Sequence, residues 1–305
     1  MVPFLLLVAL GFNGAVYLIL GQVAKAAGIG GFTLALGQAL GGALVLWPLT
    51  RLARLRVDRS GPSLRYFAGA ALLGILLPAV ATFLVILHIG AGLMSVAIAL
   101  SPVFTASISH LVGYERLNRP RLLGILIACA GVMLIIGHKA SLPRTSGSVV
   151  WLVAGLTVPF FLSCGNVFRS RFWPPGQRPI QAGAGISIVA LPLTIPLALA
   201  ADWQQVPTLP DTAWWALFGF VLVNAVNSLP YYKLQQLGGP LYLSLLSHMM
   251  AIFGIGLGML FLGERHPPMV FLGIALVLLG VWIVNRYRSR AAQQPAPTAT
   301  TRPPA

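Results

Sequence analysis

The chain has 305 residues, 57% of them hydrophobic and only 8% charged, against roughly 25% charged in soluble domains. A water-facing surface cannot be built from this composition, so the solvent must be largely lipid. The formal net charge of +15 would suit nucleic acid, but the basic residues form arginine clusters between apolar runs. Those runs are about twenty residues long, the length that crosses a bilayer core, so membrane topology accounts for the charge and nucleic acid is excluded as a partner.

The apolar pattern predicts ten helices, near 3–22, 31–50, 66–88, 92–113, 121–138, 148–168, 179–200, 212–232, 239–262 and 268–285. In the first, Asn13 and Tyr17 are four apart and share a face. In the second, Gln38 lies beside Gly37 and Gly41, spaced as a small-xxx-small contact. The third contains Pro78. The fourth contains Pro102, which follows Ser101 and the hydroxyl stripe Ser101, Thr105, Ser109; a kinked helix with such a face suits the moving wall of a cavity. In the sixth, Ser163 and Asn166 are three apart. The eighth carries Asn224, Asn227 and Tyr231 as an i, i+3, i+7 stripe. In the ninth, Ser244 and His248 are four apart, with Ser247 adjacent. Cys129 and Cys164 lie within apolar runs and argue against a disulfide framework. The N-terminal segment lacks a basic flank and flows into a full-length span, so no removable signal peptide is expected.

Basic residues orient these spans. Arg51, Arg54, Arg56, Arg59, Arg65, Arg116, Arg119, Arg121, Arg169, Arg171, Arg178, Lys233, Arg286, Arg288, Arg290 and Arg302 fall in one set of connections and the tail. Only Lys25, Lys139, Arg144 and Arg265 fall in the other. The positive-inside rule then puts both termini in the cytoplasm. All seven tryptophans lie near span ends, as an interfacial belt requires.

A short signature occurs twice in one register. Gly90, Glu115-Arg116, Leu123-Gly124-Ile125 and Gly131-Val132 recur 149 residues later as Gly239, Glu264-Arg265, Leu272-Gly273-Ile274 and Gly280-Val281. That offset covers five spans, an odd number, so equivalent helices run in opposite directions. The expected architecture is an all-α polytopic membrane protein of two inverted five-helix repeats, 1–138 and 148–285, with a disordered cytoplasmic tail at 286–305.

No acidic or basic residue sits near the middle of a predicted span, although intramembrane charges usually mark ion pathways. The candidate substrate-binding groups are therefore Asn13, Tyr17, Gln38, Asn166, Asn224, Asn227, Tyr231 and His248. Each has a plainer alternative as an interhelical hydrogen bond contributing about 0.6–2 kcal/mol. Pro102, Glu115 and Glu264 are candidates for gating or for structural roles at span ends. No metal-ligand cluster or cofactor motif is present in the sequence, so no metal or cofactor is expected.

Residues 90–136, with central Pro102-Val103, the Tyr114-Glu115-Arg116 turn and Gly124…Gly131-Val132, resemble the fourth and fifth helices of EamA-like drug/metabolite transporters. Residues 263–284, with Gly263-Glu264-Arg265, Gly273 and Gly280-Val281, resemble the matching segment of that family's second half, and Gly11-Phe12-Asn13 its first-helix Gly-x-Asn element. The resemblance implies ten helices in two inverted repeats around a central cavity, with alternating access. It departs where many relatives carry an Arg and this chain has Gln38, and where Ser247-His248-Met249-Met250-Ala251 replaces a proline-valine pair. The expected function is a non-enzymatic secondary transporter of the inner membrane, moving a small uncharged or zwitterionic, amino-acid-like solute outward. Its partners would be that solute and membrane lipid, with a homodimer left open. The alternatives are translocation of a lipid or lipid-linked sugar and, less favoured, an intramembrane serine hydrolase built on Ser244 or Ser247 with His248.

Overall fold

The computed structural model describes residues 2–113, 117–140, 146–202 and 209–287, with side chains outside 2–4, 136–140, 146–148 and 232–245. Glu115, Arg116, Trp203 and the tail beyond Tyr287 therefore lie outside the described residues. Helix α1 (Val2–Ala26) turns at Gly28, φ +102°, into α2 (Gly31–Leu52). Helix α3 (Gly61–Ala71) continues through a π-helical turn at Leu72–Leu76 into α4 (Leu77–Ala99). Pro78 explains the wider turn: it has no N–H to give the Gly74 carbonyl, so the α-helical ladder cannot continue there. Within α4 the backbone breaks at Gly90, whose φ of 85° and ψ of 160° only glycine adopts without strain.

Helices α5 (Ser101–Leu111), α6 (Arg119–Ala140), α7 (Ser146–Gly155), α8 (Thr157–Arg171) and α9 (Pro179–Ala201) follow. Helix α10 (Asp211–Leu262) has 52 residues, about 78 Å at 1.5 Å each. That would be more than twice a bilayer core of about 30 Å, but the helix does not run straight: Phe220 meets Gly21 and Met249 meets Gly11 on the same helix α1. Its apolar character falls in two sections, Asp211–Tyr231 and Leu246–Leu262. Helix α11 (Pro268–Arg286) ends the described chain. With broken helices divided and abutting ones joined there are ten helical runs, the expected number, and no strand among the described residues. Among the described residues, seven helices are long and apolar enough to cross a membrane.

The outer faces are apolar, with Leu44, Trp215 and Leu260 among the exposed side chains, as a lipid solvent requires. Arginines stack on tryptophans at helix ends: Arg51 lies 4.7 Å from the Trp47 ring and Arg286 5.1 Å from the Trp282 ring. Inside, α1 packs along α10, α2 along α9, α5 along α8 and α6 along α11. The α6–α11 seam is made by the repeated glycines. A Cβ at Gly131 would stand 2.6 Å from the Gly273 carbonyl oxygen, and one at Gly124 2.8 Å from that of Gly280. The early glycine of each helix thus meets the late glycine of the other, so α6 and α11 run antiparallel with backbones in contact. In a bilayer such close packing, rather than apolar burial, holds helices together.

The described acidic residues all serve helix N-termini. Asp58 accepts bonds from the Ser60 amide (2.9 Å) and the hydroxyls of Ser60 and Ser63 (2.7 and 2.6 Å), just before α3. The Ser63 hydroxyl foremost, with Ser60, holds the Asp58 carboxyl below the usual carboxylate range. Asp202, at the end of α9, accepts from the Thr33 amide at 2.7 Å and its hydroxyl at 3.0 Å, capping α2 from across the bundle. Asp211 stands in the first turn of α10. Glu264 lies at the Gly90 break, where its carboxylate accepts from the Gly92 amide at 3.1 Å. At α2 and at the Gly90 break the bonds are part-buried, where lipid could not supply an acceptor; the Asp58 cap is exposed.

Replacing Gly131 by Leu is expected to destabilise the purified protein by about 1–3 kcal/mol, the cost of overpacking. Gly256, with open space around it, provides the control: Gly256→Leu should leave the thermal unfolding midpoint nearly unchanged. Equal midpoints for the two variants would refute the close α6–α11 seam.

Candidate functional site

A cavity of about 380 Å³ lies between the helices, within the usual range of about 300–1,000 Å³ for small-molecule sites. Six of the eight side chains singled out from the sequence line it: Tyr17, Gln38, Asn166, Asn224, Asn227 and Tyr231. They come from α1, α2, α8 and the first section of α10. Asn13 is not among the lining residues. His248 is also absent from the lining; it is buried with Nε2 3.3 Å from the Leu278 carbonyl oxygen on α11, whereas its neighbour Ser247 faces the cavity. Pro102 itself does not line the cavity, but Ser101 does. Its carbonyl accepts a 2.8 Å bond from the Ser163 hydroxyl, tying the start of α5 to α8.

The polar groups are partly engaged with one another. The Tyr17 hydroxyl donates to Gln38 Oε1 at 3.0 Å, and Asn224 Nδ2 donates to the Gln38 carbonyl. That second bond rests on close approach of α2 to α10: a Cβ at Gly41 would be 2.7 Å from the Val221 carbonyl oxygen. Asn227 Oδ1 is buried without a hydrogen-bond partner among the described residues. Such an acceptor costs about 1–3 kcal/mol unless something donates to it.

The two ends of the cavity differ. On α1 the lining stops at Tyr17, on α2 it starts at Gln38, and on the part of α4 before the Gly90 break it stops at Thr82. Past that level the fully buried rings of Phe83 and Phe220 close the bundle. Tyr17 stacks on Phe220 at 4.6 Å between centroids, and Phe83 meets Phe220 edge-on at 5.5 Å. Toward the other end the lining continues through Leu46, Trp173, Ala182 and Tyr231. That is the arginine-rich end, with Arg51, Arg54, Arg56, Arg171 and Arg178 on nearby helix ends and turns.

Sequence reasoning placed Arg169 with the connection arginines, yet its side chain lines the cavity. Side chains on a helix lean toward its N-terminus, so an arginine in the last turn of α8 reaches back into the membrane. Its Nη2 donates to Asn166 Oδ1, one turn earlier. Trp173, which the sequence reading assigned to the interfacial belt, also lines the cavity, as do Thr82, Ser187 and Ser228, which it left unmarked. Extending the Asn166 face by three and seven positions, to Arg169 and Trp173, was the available signal for two of them.

This is a multi-pass helical membrane protein built around a polar-lined internal cavity. The sequence matches the model of the EamA-like transporter family twice, over residues 1–137 and 149–286, and the chain belongs to that family, one of transporters rather than enzymes. It is 28% identical over 207 residues to a probable amino-acid metabolite efflux pump of Salmonella typhimurium, covering 63% of this chain and 67% of that protein. It is 24% identical to the Escherichia coli protein of the same description, with the same coverage. A probable terminal-alkyne amino-acid exporter of Streptantibioticus cattleyicolor is 23% identical, over 68% of this chain and 69% of its own. A solved crystal structure shares the fold at a TM-score of 0.60 and 15% identity, over 90% of this chain and 97% of its own.

Glu264 stands apart from the cavity, sealed against Gly90, Gly92 and Gly258, with His266 Nε2 3.3 Å from its carboxylate. Glu264→Ala is expected to leave the Gly92 amide without an acceptor and cost about 1–3 kcal/mol. Glu264→Gln, which keeps an acceptor oxygen, should lose less. Thermal unfolding of the two variants checks the order, and equal loss would show that the carboxylate's hydrogen bond does not hold the break.

Proposed function

We propose that this protein exports small amino-acid-like metabolites across the inner membrane by alternating access, as two inverted five-helix repeats with both termini in the cytoplasm. The observation that carries the transport site is the convergence of Tyr17, Gln38, Asn224 and Asn227 from one half-bundle interface with Asn166 on a single cavity. The unpartnered Asn227 Oδ1 suits a solute that donates hydrogen bonds, as an ammonium group does. The names of the amino-acid exporters to which the chain is similar support the same substrate class.

The inverted repeat is supported by the packing. Helices α6 and α11, which carry equivalent signatures, lie antiparallel with their repeated glycines interlocked. Helix α2 pairs with α9, its counterpart in the other half, and the α1–α10 and α5–α8 contacts exchange under the same relation. Such a pseudo-two-fold lets one sequence plan open to either side. The positive-inside rule assigns the arginine-rich end to the cytoplasm, which makes the cavity inward-facing, and makes Tyr17, Phe83 and Phe220 the closed outer barrier.

Inside-out vesicles containing the protein should take up one or more radiolabelled L-amino acids faster than empty vesicles. Replacing Asn227 by Ala should raise the apparent KM roughly two- to tenfold, the weight of one hydrogen bond. No excess uptake of any of the twenty would overturn the amino-acid reading, and unchanged uptake by a Gln38, Asn224 and Asn227 triple alanine variant would overturn the site. Orientation has its own measurement. In a background with Cys129 and Cys164 replaced by Ser, Arg59→Cys should react with an impermeant maleimide in inside-out vesicles and stay protected in intact cells; the reverse pattern would invert the topology.

A further inference from the structure

We infer that Arg169 and Asn166 form a carboxylate-binding subsite in the cavity, so that the transported solute is one bearing a carboxylate. The inference rests on the transporter reading above and adds to it the group by which the solute is held. Three observations converge on the guanidinium. It lines the cavity, it donates from Nη2 to Asn166 Oδ1, and it lies against Gly74 in the π-helical turn, where any Cβ would collide with Nη1. The missing side chain at Gly74 is therefore what gives the guanidinium its place. Asn166 fixes one edge of the planar fork, and the fork's remaining N–H groups are the kind that grip a carboxylate through two parallel bonds.

The charge around it is unbalanced. Among the described residues no carboxylate forms an ion pair with Arg169, and the acids Asp58, Asp202, Asp211 and Glu264 are all at helix N-termini elsewhere. Asn166, Asn224, Asn227 and Gln38, the amides of the described lining, are neutral. A cation in a partly dehydrated cavity with neutral partners favours an anion more strongly than the same cation in water. Trp173, Leu162 and Met250, also in the lining, offer apolar surface for the rest of a small solute.

The test uses the purified full-length protein and its thermal stabilisation by three sets of probes: the L-amino acids, their carboxamides and the corresponding 2-oxo acids. Probes that stabilise the wild type should all carry a carboxylate, and the matching carboxamide should bind at least tenfold more weakly. Arg169→Gln should weaken carboxylate binding at least tenfold and Arg169→Lys by less. Gly74→Ala, which keeps the arginine but displaces it, should weaken binding as well. Arg171→Gln, two residues on at an exposed position outside the lining, should bind as the wild type does and so separates a subsite from the general field of the arginine-rich end. Equal binding of acid and amide, full carboxylate binding by Arg169→Gln, or equal loss in Arg171→Gln would each overturn the subsite, as would a wild type that no carboxylate stabilises. The two readings fail separately. Arg169-dependent binding of 2-oxo acids without amino acids would keep the subsite and sink the amino-acid reading; amino-acid binding indifferent to Arg169 would do the opposite.

Discussion

Helices that begin or break within a bilayer expose amides that lipid cannot satisfy, and this constraint organises the molecule. The chain has five acidic residues in all. Of these, Asp202 and Glu264 accept hydrogen bonds at part-buried helix starts; Asp58 caps an exposed one, and Asp211 stands in the first turn of another. A carboxylate there answers both the free amides and the positive end of the helix dipole. The consequence reaches the cavity. With these acids at helix ends, the lining of amides, hydroxyls and rings contains, among the described residues, a single arginine and no counter-charge.

The two Gly-based devices of the fold do different work. At the α6–α11 seam, Gly124, Gly131, Gly273 and Gly280 let two backbones touch, with Ile135, Leu276 and Ile283 of the facing helices packed onto the glycines. At Gly90, by contrast, the glycine is needed for its conformation. Its φ of 85° turns the chain inside α4, and the absence of a Cβ there and at Gly92 makes room for the Glu264 carboxylate that caps the following segment. The duplicated signature thus joins a break, the acid that seals it and the seam beside it into one unit. Its described members lie outside the cavity lining, which separates holding the bundle together from contacting a solute.

Much of this was legible in the residues. Ten apolar runs near twenty residues apiece permit little besides helices, because lipid forces every backbone group to bond within its own segment. Periodicity likewise brought Asn224, Asn227 and Tyr231 onto one helix face, and all three line the cavity. For Asn13 and His248 the same reasoning identifies a polar residue in a span but not the direction it faces; His248 meets a carbonyl of α11 instead. That choice depends on the rotation of one helix against another, which no single helix encodes.

Arg169 marks the boundary most clearly. By position it belongs with the arginines of a connection, and by sequence alone it is one more positive charge near a helix end. Composition, apolar run length and the 149-residue register determined a ten-helix membrane bundle with two related halves. Only the tertiary structure decided that Gly74 would leave a gap beside α8 and that Asn166 would hold the guanidinium in it, because a side chain leaning back along its helix meets whatever the neighbouring helix happens to present.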